Sequence, residues 1–275
     1  MSMETYAIRY KVASIGNDDP HARLISDPNH MAKIRHENFK RWFGDWEAGQ
    51  GSKVVHPETK HPHEMHHLSR VVDRQGNPLT VYHGTSMGGF TQFDPKFVSD
   101  ESLMGPGFYF TENSNVANTY SQKINPHLGQ GGSQSPMTYQ LYLNIRKPFD
   151  ADHWQRMQAA HGTKSWWKRL EDAMSGHTMP DPLPPAFHPP LGHPIKSFDS
   201  IANAFGGGAK GKAKATQYLK DLGFDGITHT GGVNQGLKAN VPQHRVWIAW
   251  HPTQIKSVDN HGTWSVDDPR IHHSV

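Results

Sequence analysis

Apolar residues recur along this chain in two periods. From Asn29 to Gly44, Met31, Ile34, Phe39, Trp42 and Phe43 fall near helical spacing, and Asn29 can cap them; they predict one helix over about 30–43. Weak alternation over 6–15 reads as a strand. Ser69-Arg70-Val71-Val72-Asp73, the turn residues Gln75-Gly76-Asn77 and the run 79–82 predict a strand, a turn and a second strand. Ser52-Lys53-Val54-Val55-His56 repeats the form of the first arm. Residues 139–145 alternate and stop at Pro148. Shorter strands follow at 224–228, 246–250 and 255–258. Helices are expected in two pieces over 152–174, broken at Gly162 with Trp154, Trp166, Trp167 and Leu170 inward. Others are expected near 197–205 and at 213–222, the last stopping at Gly223. Seven prolines within 178–194 make a connector without a core of its own. Many short strands and few helices predict an α+β fold with a mainly antiparallel sheet.

Composition narrows the function classes. A chain of 275 residues can bury a proper core as one large or two small domains. Mean hydropathy is −0.73, polar for a globular protein, and the 26 Gly and 20 Pro place much of that polarity in loops. A formal charge of +3 permits an anionic ligand or nucleic acid without arguing for one. The absence of cysteine removes disulfides, Cys-ligated zinc and a thiol nucleophile. No apolar run approaches a membrane span and no signal-peptide core opens the chain, so a cytoplasmically made, monomeric protein without a membrane partner is expected. Delivery into a target cell by a secretion or phage-injection machine is compatible with a cysteine-free chain. The 21 histidines call for an explanation.

Chemistry concentrates in residues 81–120. Val81-Tyr82-His83-Gly84-Thr85 ends a predicted strand in polar and small residues, where an imidazole can bond a ribose hydroxyl and a glycine leaves the backbone open to a ligand amide. Gly107-Phe108-Tyr109-Phe110-Thr111 repeats that design, and Tyr120, one helical turn beyond Ala117, can stack on a flat ligand. Taken singly, each is as well explained by a turn, a core strand and a core tyrosine.

Taken together and in order, these blocks resemble the ADP-ribosyltransferase fold of the diphtheria-toxin and PARP type. The resemblance is closest to the bacterial and phage branch attached to polyvalent and MuF-type proteins. Phe39 through Trp46 resembles the end of the branch's leading helix, and Ser69 through Thr85 its hairpin into the histidine strand. Gly105 through Tyr120 resembles the tyrosine strand and following helix, and Leu141 through Phe149 a Leu-Asn-Ile-x-x-Pro-Phe strand. Gly223 through Ile227 and Val246 through Ser257 resemble the closing strands. The resemblance implies split antiparallel sheets with flanking helices. It also implies an N-terminal helical extension over 1–50, a transferase-like domain over 51–270 with an insertion at 151–205, and a tail at 271–275. By the same resemblance NAD is the substrate. His83 holds the riboses, Gly84 takes the carboxamide through its backbone with Thr85 beside it, and Tyr109 and Tyr120 sandwich the nicotinamide, with Ala117 on the same face. The implied activity is transfer of one ADP-ribose to a macromolecule, protein or nucleic acid, by a toxin or effector. NAD glycohydrolysis and a non-catalytic nucleotide-binding module are the alternatives.

One position departs from the family. Its third catalytic residue, usually Glu, Asp or Gln, falls on Val246, which can neither accept nor donate. Either the acceptor supplies its own base, or the role moves to Gln243, His244, Arg245, His229 or Gln235, or the domain binds NAD with little turnover. Gln243 is carried forward as the catalytic candidate beside His83 and Tyr109. His63-Glu64-Met65-His66-His67 matches a zinc-protease pattern, but Pro62 and the strand from about Ser69 leave at most two helical turns, so no metal is expected. Gly206-Gly207-Gly208-Ala209-Lys210-Gly211-Lys212 lacks phosphate-loop spacing and reads as a flexible loop before a helix.

Overall fold

The computed structural model describes residues 19–49, 68–122, 135–152, 197–232, 243–262 and 264–272. The expected strand over 6–15, the repeat at 52–56, the histidine-rich stretch, Gln235 and the two helices and proline connector of the insertion lie outside these residues, apart from 151–152 and 197–205. The described residues divide into two compact units. One comprises Met1–Asp94, Tyr109–Lys147 and His251–Val275; the other comprises Pro95–Phe108 and Pro148–Trp250.

The first unit opens with three short helices, α1 (Pro20–Ser26), α2 (Pro28–Arg35) and α3 (Glu37–Phe43), then α4 (Trp46–Gly49). The sequence predicted one helix over 30–43. Instead the chain turns out at His36, whose backbone is extended (φ −63°, ψ 143°) and whose ring accepts the Asn38 N–H to start α3. The cap of α2 is Asp27 rather than Asn29: its carboxylate accepts the Asn29 N–H, and Pro28 takes the first-turn position that needs no donor. Ile34, Phe39, Trp42, Phe43 and Trp46 share one buried cluster with Tyr142, Val258 and Trp264. Each such side chain, fully buried, contributes about 1.5–3 kcal/mol. Trp42 and Trp46 also place their indole N–H on the carbonyls of Thr253 and Ile34, at 3.0 and 3.1 Å. Part of the histidine excess is structural. His21 lies 3.2 Å from the Asp73 carboxylate and 3.3 Å from the Thr80 hydroxyl, and His30 lies 2.6 Å from the Tyr142 hydroxyl.

The sheet of this unit runs β2 (Phe108–Thr111), β1 (Val81–Thr85), β3 (Met137–Leu143), β7 (Ile255–Ser257), every pair antiparallel. The hairpin expected over 69–82 is reduced to one bridge, Val72 to Pro78. The Asp73 carboxylate takes the Gln75 and Asn77 N–H groups at 2.8 Å each, closing the turn by side chain instead of by ladder. Helix α5 (Ser114–Ser121) follows β2, capped by Asn113 on the N–H groups of Asn115 and Val116.

In the second unit, β4 (Pro148–Asp150) pairs parallel with β5 (Gly226–Gly231), and β5 pairs antiparallel with β6 (His244–Ala249). Pro148 therefore opens a strand, where its missing N–H costs least, as well as following one. Two helices complete it, α6 (Phe198–Ala204) and α7 (Gly208–Asp221). The stretch read as a flexible loop is a correction. Gly206 and Gly207 turn the chain at positive φ, 95° and 67°, and Ala209 through Lys212 are already helical. Helices, strands and topology make an α+β protein of the expected class.

Candidate functional site

His83 is the third residue of β1 and is half-buried. Its Nδ1 lies 2.8 Å from the Tyr109 carbonyl on β2. A carbonyl only accepts, so Nδ1 carries the proton and Nε2 presents a lone pair. Burial lowers the imidazole below its ordinary range, against the opposing pull of the Tyr109 carbonyl, which keeps the ring neutral at pH 7. Phe93 meets it edge-on at 5.0 Å and Phe110 lies at 5.6 Å. Among the described residues Nε2 has no hydrogen-bond partner. The result is a fixed, neutral, single-tautomer acceptor, suited to a hydroxyl.

Gly84 is required by packing. A Cβ there would sit 1.7 Å from the Ala117 carbonyl oxygen of α5, so helix backbone rests directly on strand backbone. Among the described residues β1 pairs with β2 at Tyr82–Thr111 alone, which leaves His83, Gly84 and Thr85 without a ladder partner on that side there. The Thr85 hydroxyl accepts the Met87 N–H at 3.1 Å and closes the turn that follows. Tyr109 alternates with buried Phe108 and Phe110 and is half-buried. Tyr120 is 42% exposed, the large aromatic that α5 presents outward, whereas Ala117 is buried against Gly84. All six of these residues lie in the first unit.

Val246, where the resemblance would place a carboxylate, lies in the second unit. Val246 pairs directly with His229 across β5 and β6, so the two share a face; Gly231 and His244, two residues along, share it too. The His244 ring covers Gly231 so closely that a Cβ there would meet its Nε2 at 2.5 Å. Arg245 points to the opposite face. It is 6% exposed and pairs with Asp150 and Asp152, each at 3.2 Å. Asp152 also accepts the Thr230 N–H and hydroxyl at 2.6 and 2.8 Å. Gln243 is exposed just ahead of β6. His229 is buried, with Nδ1 3.2 Å from the Thr230 carbonyl, Nε2 unpartnered among the described residues, and its imidazole held below the ordinary range by desolvation.

Sequence reasoning missed Phe93, Tyr139 and the Asp150–Arg245–Asp152 cluster. The spacing of Asp150 and Asp152 was a usable signal: two carboxylates two residues apart at a strand end face the same way. Among the described residues there is no group of three or more histidine and acidic side chains placed to hold a metal, and no helix is long and apolar enough to cross a membrane.

Residues 73–181 match the family model described as ADP-Ribosyltransferase in polyvalent proteins. The match takes in β1, β2, α5, β3 and β4, with His83, Gly84, Thr85, Tyr109, Ala117 and Tyr120; β5, β6, His229, Gln243 and Val246 lie beyond it. No curated protein and no solved structure matches the chain.

Proposed function

We propose that this protein is a mono-ADP-ribosyltransferase that takes ADP-ribose from NAD and gives it to a macromolecular acceptor, protein or nucleic acid, in the service of a toxin or effector. The observation that carries the reading is the unpartnered, neutral Nε2 of His83, beside the unpaired backbone edge of β1. These residues fit NAD. Nε2 accepts a ribose hydroxyl, the backbone at Gly84 and Thr85 meets the carboxamide, and the rings of Tyr109 and Tyr120 take the faces of the nicotinamide. In the reaction the bond between ribose C1′ and the nicotinamide nitrogen breaks, and nicotinamide leaves with the electron pair. C1′ passes through an oxocarbenium-like state and bonds to the acceptor's nucleophile, whose proton goes to a base. The chain contributes positioning and a fixed electrostatic environment.

That base is best supplied by the acceptor. Val246 has no polar atom, and Arg245 already serves two carboxylates. Gln243 is the side chain to assign if the chain supplies one; its exposure just ahead of β6 leaves it free to reach an incoming group. Elongation into polymer is not expected without a carboxylate. NAD glycohydrolysis is the same ribosyl chemistry with water as acceptor.

Incubation of the full chain with labelled NAD and a lysate tests the proposal. Label on protein or RNA, lost in His83→Ala and Tyr109→Ala, supports it. Free ADP-ribose alone makes the protein a hydrolase, and neither product makes it a binding module. Full labelling by both variants would overturn the site. Mass spectrometry of the labelled macromolecule identifies the acceptor, and Gln243→Ala decides whether that side chain takes part. A chelator that abolishes activity, with zinc restoring it, would revive the protease pattern at His63.

A further inference from the structure

Tyr139 stands directly opposite His83 in the β1–β3 ladder, so the two side chains rise from the same face of the sheet. Its hydroxyl makes three bonds to one short loop. It accepts the N–H groups of Gly89 and Phe90 at 2.9 and 3.1 Å and donates to the Phe90 carbonyl at 3.2 Å. Two further backbone bonds, Gly88 N–H to the Ser135 carbonyl at 2.7 Å and Ser135 N–H to the Ser86 carbonyl at 2.9 Å, hold the start of the loop to the chain just ahead of β3. The loop delivers two rings. Phe90 packs on Tyr139 at 4.6 Å, and Phe93 meets Phe90 at 5.0 Å and the His83 imidazole edge-on at 5.0 Å. Phe93 is 3% exposed and also packs on Phe110, the second aromatic ring beside the histidine.

We infer that Tyr139 is a positioning residue for His83: its hydroxyl folds the loop over 86–93 onto the sheet, and the loop sets the Phe93 edge that fixes the imidazole. The inference rests on the reading of His83 as the ribose-binding group for its functional consequence, but not for its structural content. The Tyr109 carbonyl fixes one end of the imidazole, at Nδ1, and leaves the ring free to swing about that bond. Phe93 and Phe110, packed on each other at 5.5 Å, close that side of the imidazole and limit the swing, and Phe93 is the one of the two that the loop sets in place. Without the hydroxyl, one loop carbonyl and two loop N–H groups lose their partner, and Phe93 is no longer held against the ring.

The test uses the full chain with the imidazole nitrogens of histidine labelled for NMR, together with titration of NAD. In the wild type, His83 gives one set of signals, with Nδ1 protonated and Nε2 not. Tyr139→Phe keeps the ring and removes only the hydroxyl; it is expected to average or split those signals and to weaken NAD binding about tenfold, the loss typical of a misplaced hydrogen-bond partner. Tyr218→Phe, the same chemical change in α7, is expected to alter neither. A folded Tyr139→Phe with unchanged His83 signals overturns the inference. Should Tyr139→Phe fail to fold, Phe93→Leu, which keeps bulk but removes the ring edge, is read in its place with the same expectation and the same overturning result. If the wild type binds no NAD, the proposed function falls, while the histidine spectra still decide the positioning role.

Discussion

His83 and His229 have the same local chemistry and opposite circumstances. Each places Nδ1 on a main-chain carbonyl, each is held neutral by burial, and each leaves Nε2 without a partner among the described residues. His83 reaches across to a neighbouring strand, packs against the touching rings of Phe93 and Phe110 and keeps part of its surface open. His229 bonds the carbonyl of the next residue and is 3% exposed, with valine directly across the ladder. A buried acceptor with nothing to accept costs roughly 1–3 kcal/mol. The same tautomer is thus the proposed binding group in one place and a standing cost in the other. Accessibility and the quality of the walls decide which, not the residue type.

The sharpest way to break the comparison is to remove His83. His83→Ala is expected to lower labelling from NAD by about a thousandfold, the loss seen when a positioned transition-state partner is deleted, with the melting temperature little changed. Labelling close to wild type would put His83 on the same footing as His229. Next in size is Arg245→Ala, which removes the buried guanidinium that pairs with both the Asp150 and Asp152 carboxylates and should cost about 3–5 kcal/mol of stability in denaturant unfolding. A smaller loss would mean that Thr230 alone satisfies Asp152. Gly84→Ala drives a methyl into the Ala117 carbonyl and is expected to destabilise by about 2–3 kcal/mol, read in the same way.

Acid supplies a gentler test. His30, His83 and His229 all have folded pKa values pushed below their ordinary 6.5, chiefly by burial. Above that value both folded and unfolded chains leave them neutral. As pH falls below it, the unfolded chain takes up protons that the folded chain resists, so stability drops by up to about 1.4 kcal/mol per pH unit for each histidine. The melting temperature should therefore fall between pH 7 and pH 5, whereas NAD binding should weaken only at the lower pH at which the folded His83 imidazole itself takes up a proton. The smallest change expected is from His229→Leu. It exchanges an unsatisfied polar atom for an apolar one, and stability should stay within about 1 kcal/mol of wild type with labelling retained. Loss of labelling in a folded His229→Leu would make His229 the substitute for the carboxylate absent at Val246.

Much of this was legible in the chain, for definite reasons. β1, β3, β6 and β7 show in the sequence because β-branched and aromatic residues cluster between turn formers, and their residues also carry the family's ordered blocks. The match over 73–181 bears out the family and the general activity. The break at His36 was not legible, because apolar residues keep helical spacing across it while the backbone does not. The early start of α7 was hidden by three glycines at positive φ, which read as a loop even though the chain is helical directly after them. The tie between Tyr139 and the loop after β1 spans about fifty residues of sequence and leaves no local mark. Gly84 was read for what a ligand needs, whereas its packing belongs to α5.

That contact between Gly84 and Ala117 has a consequence for what the protein can hold. Two stretches of backbone touch without side chains between them, so no rotamer can widen or narrow the spacing between the strand that carries His83 and the helix that carries Tyr120. The spacing works as a fixed gauge. Little freedom is left there to lose when a ligand arrives, which favours tight holding of a group of the right thickness. A nicotinamide analogue thickened by a substituent on its ring face should be admitted only if the exposed Tyr120 ring turns aside, since the backbone spacing itself does not yield.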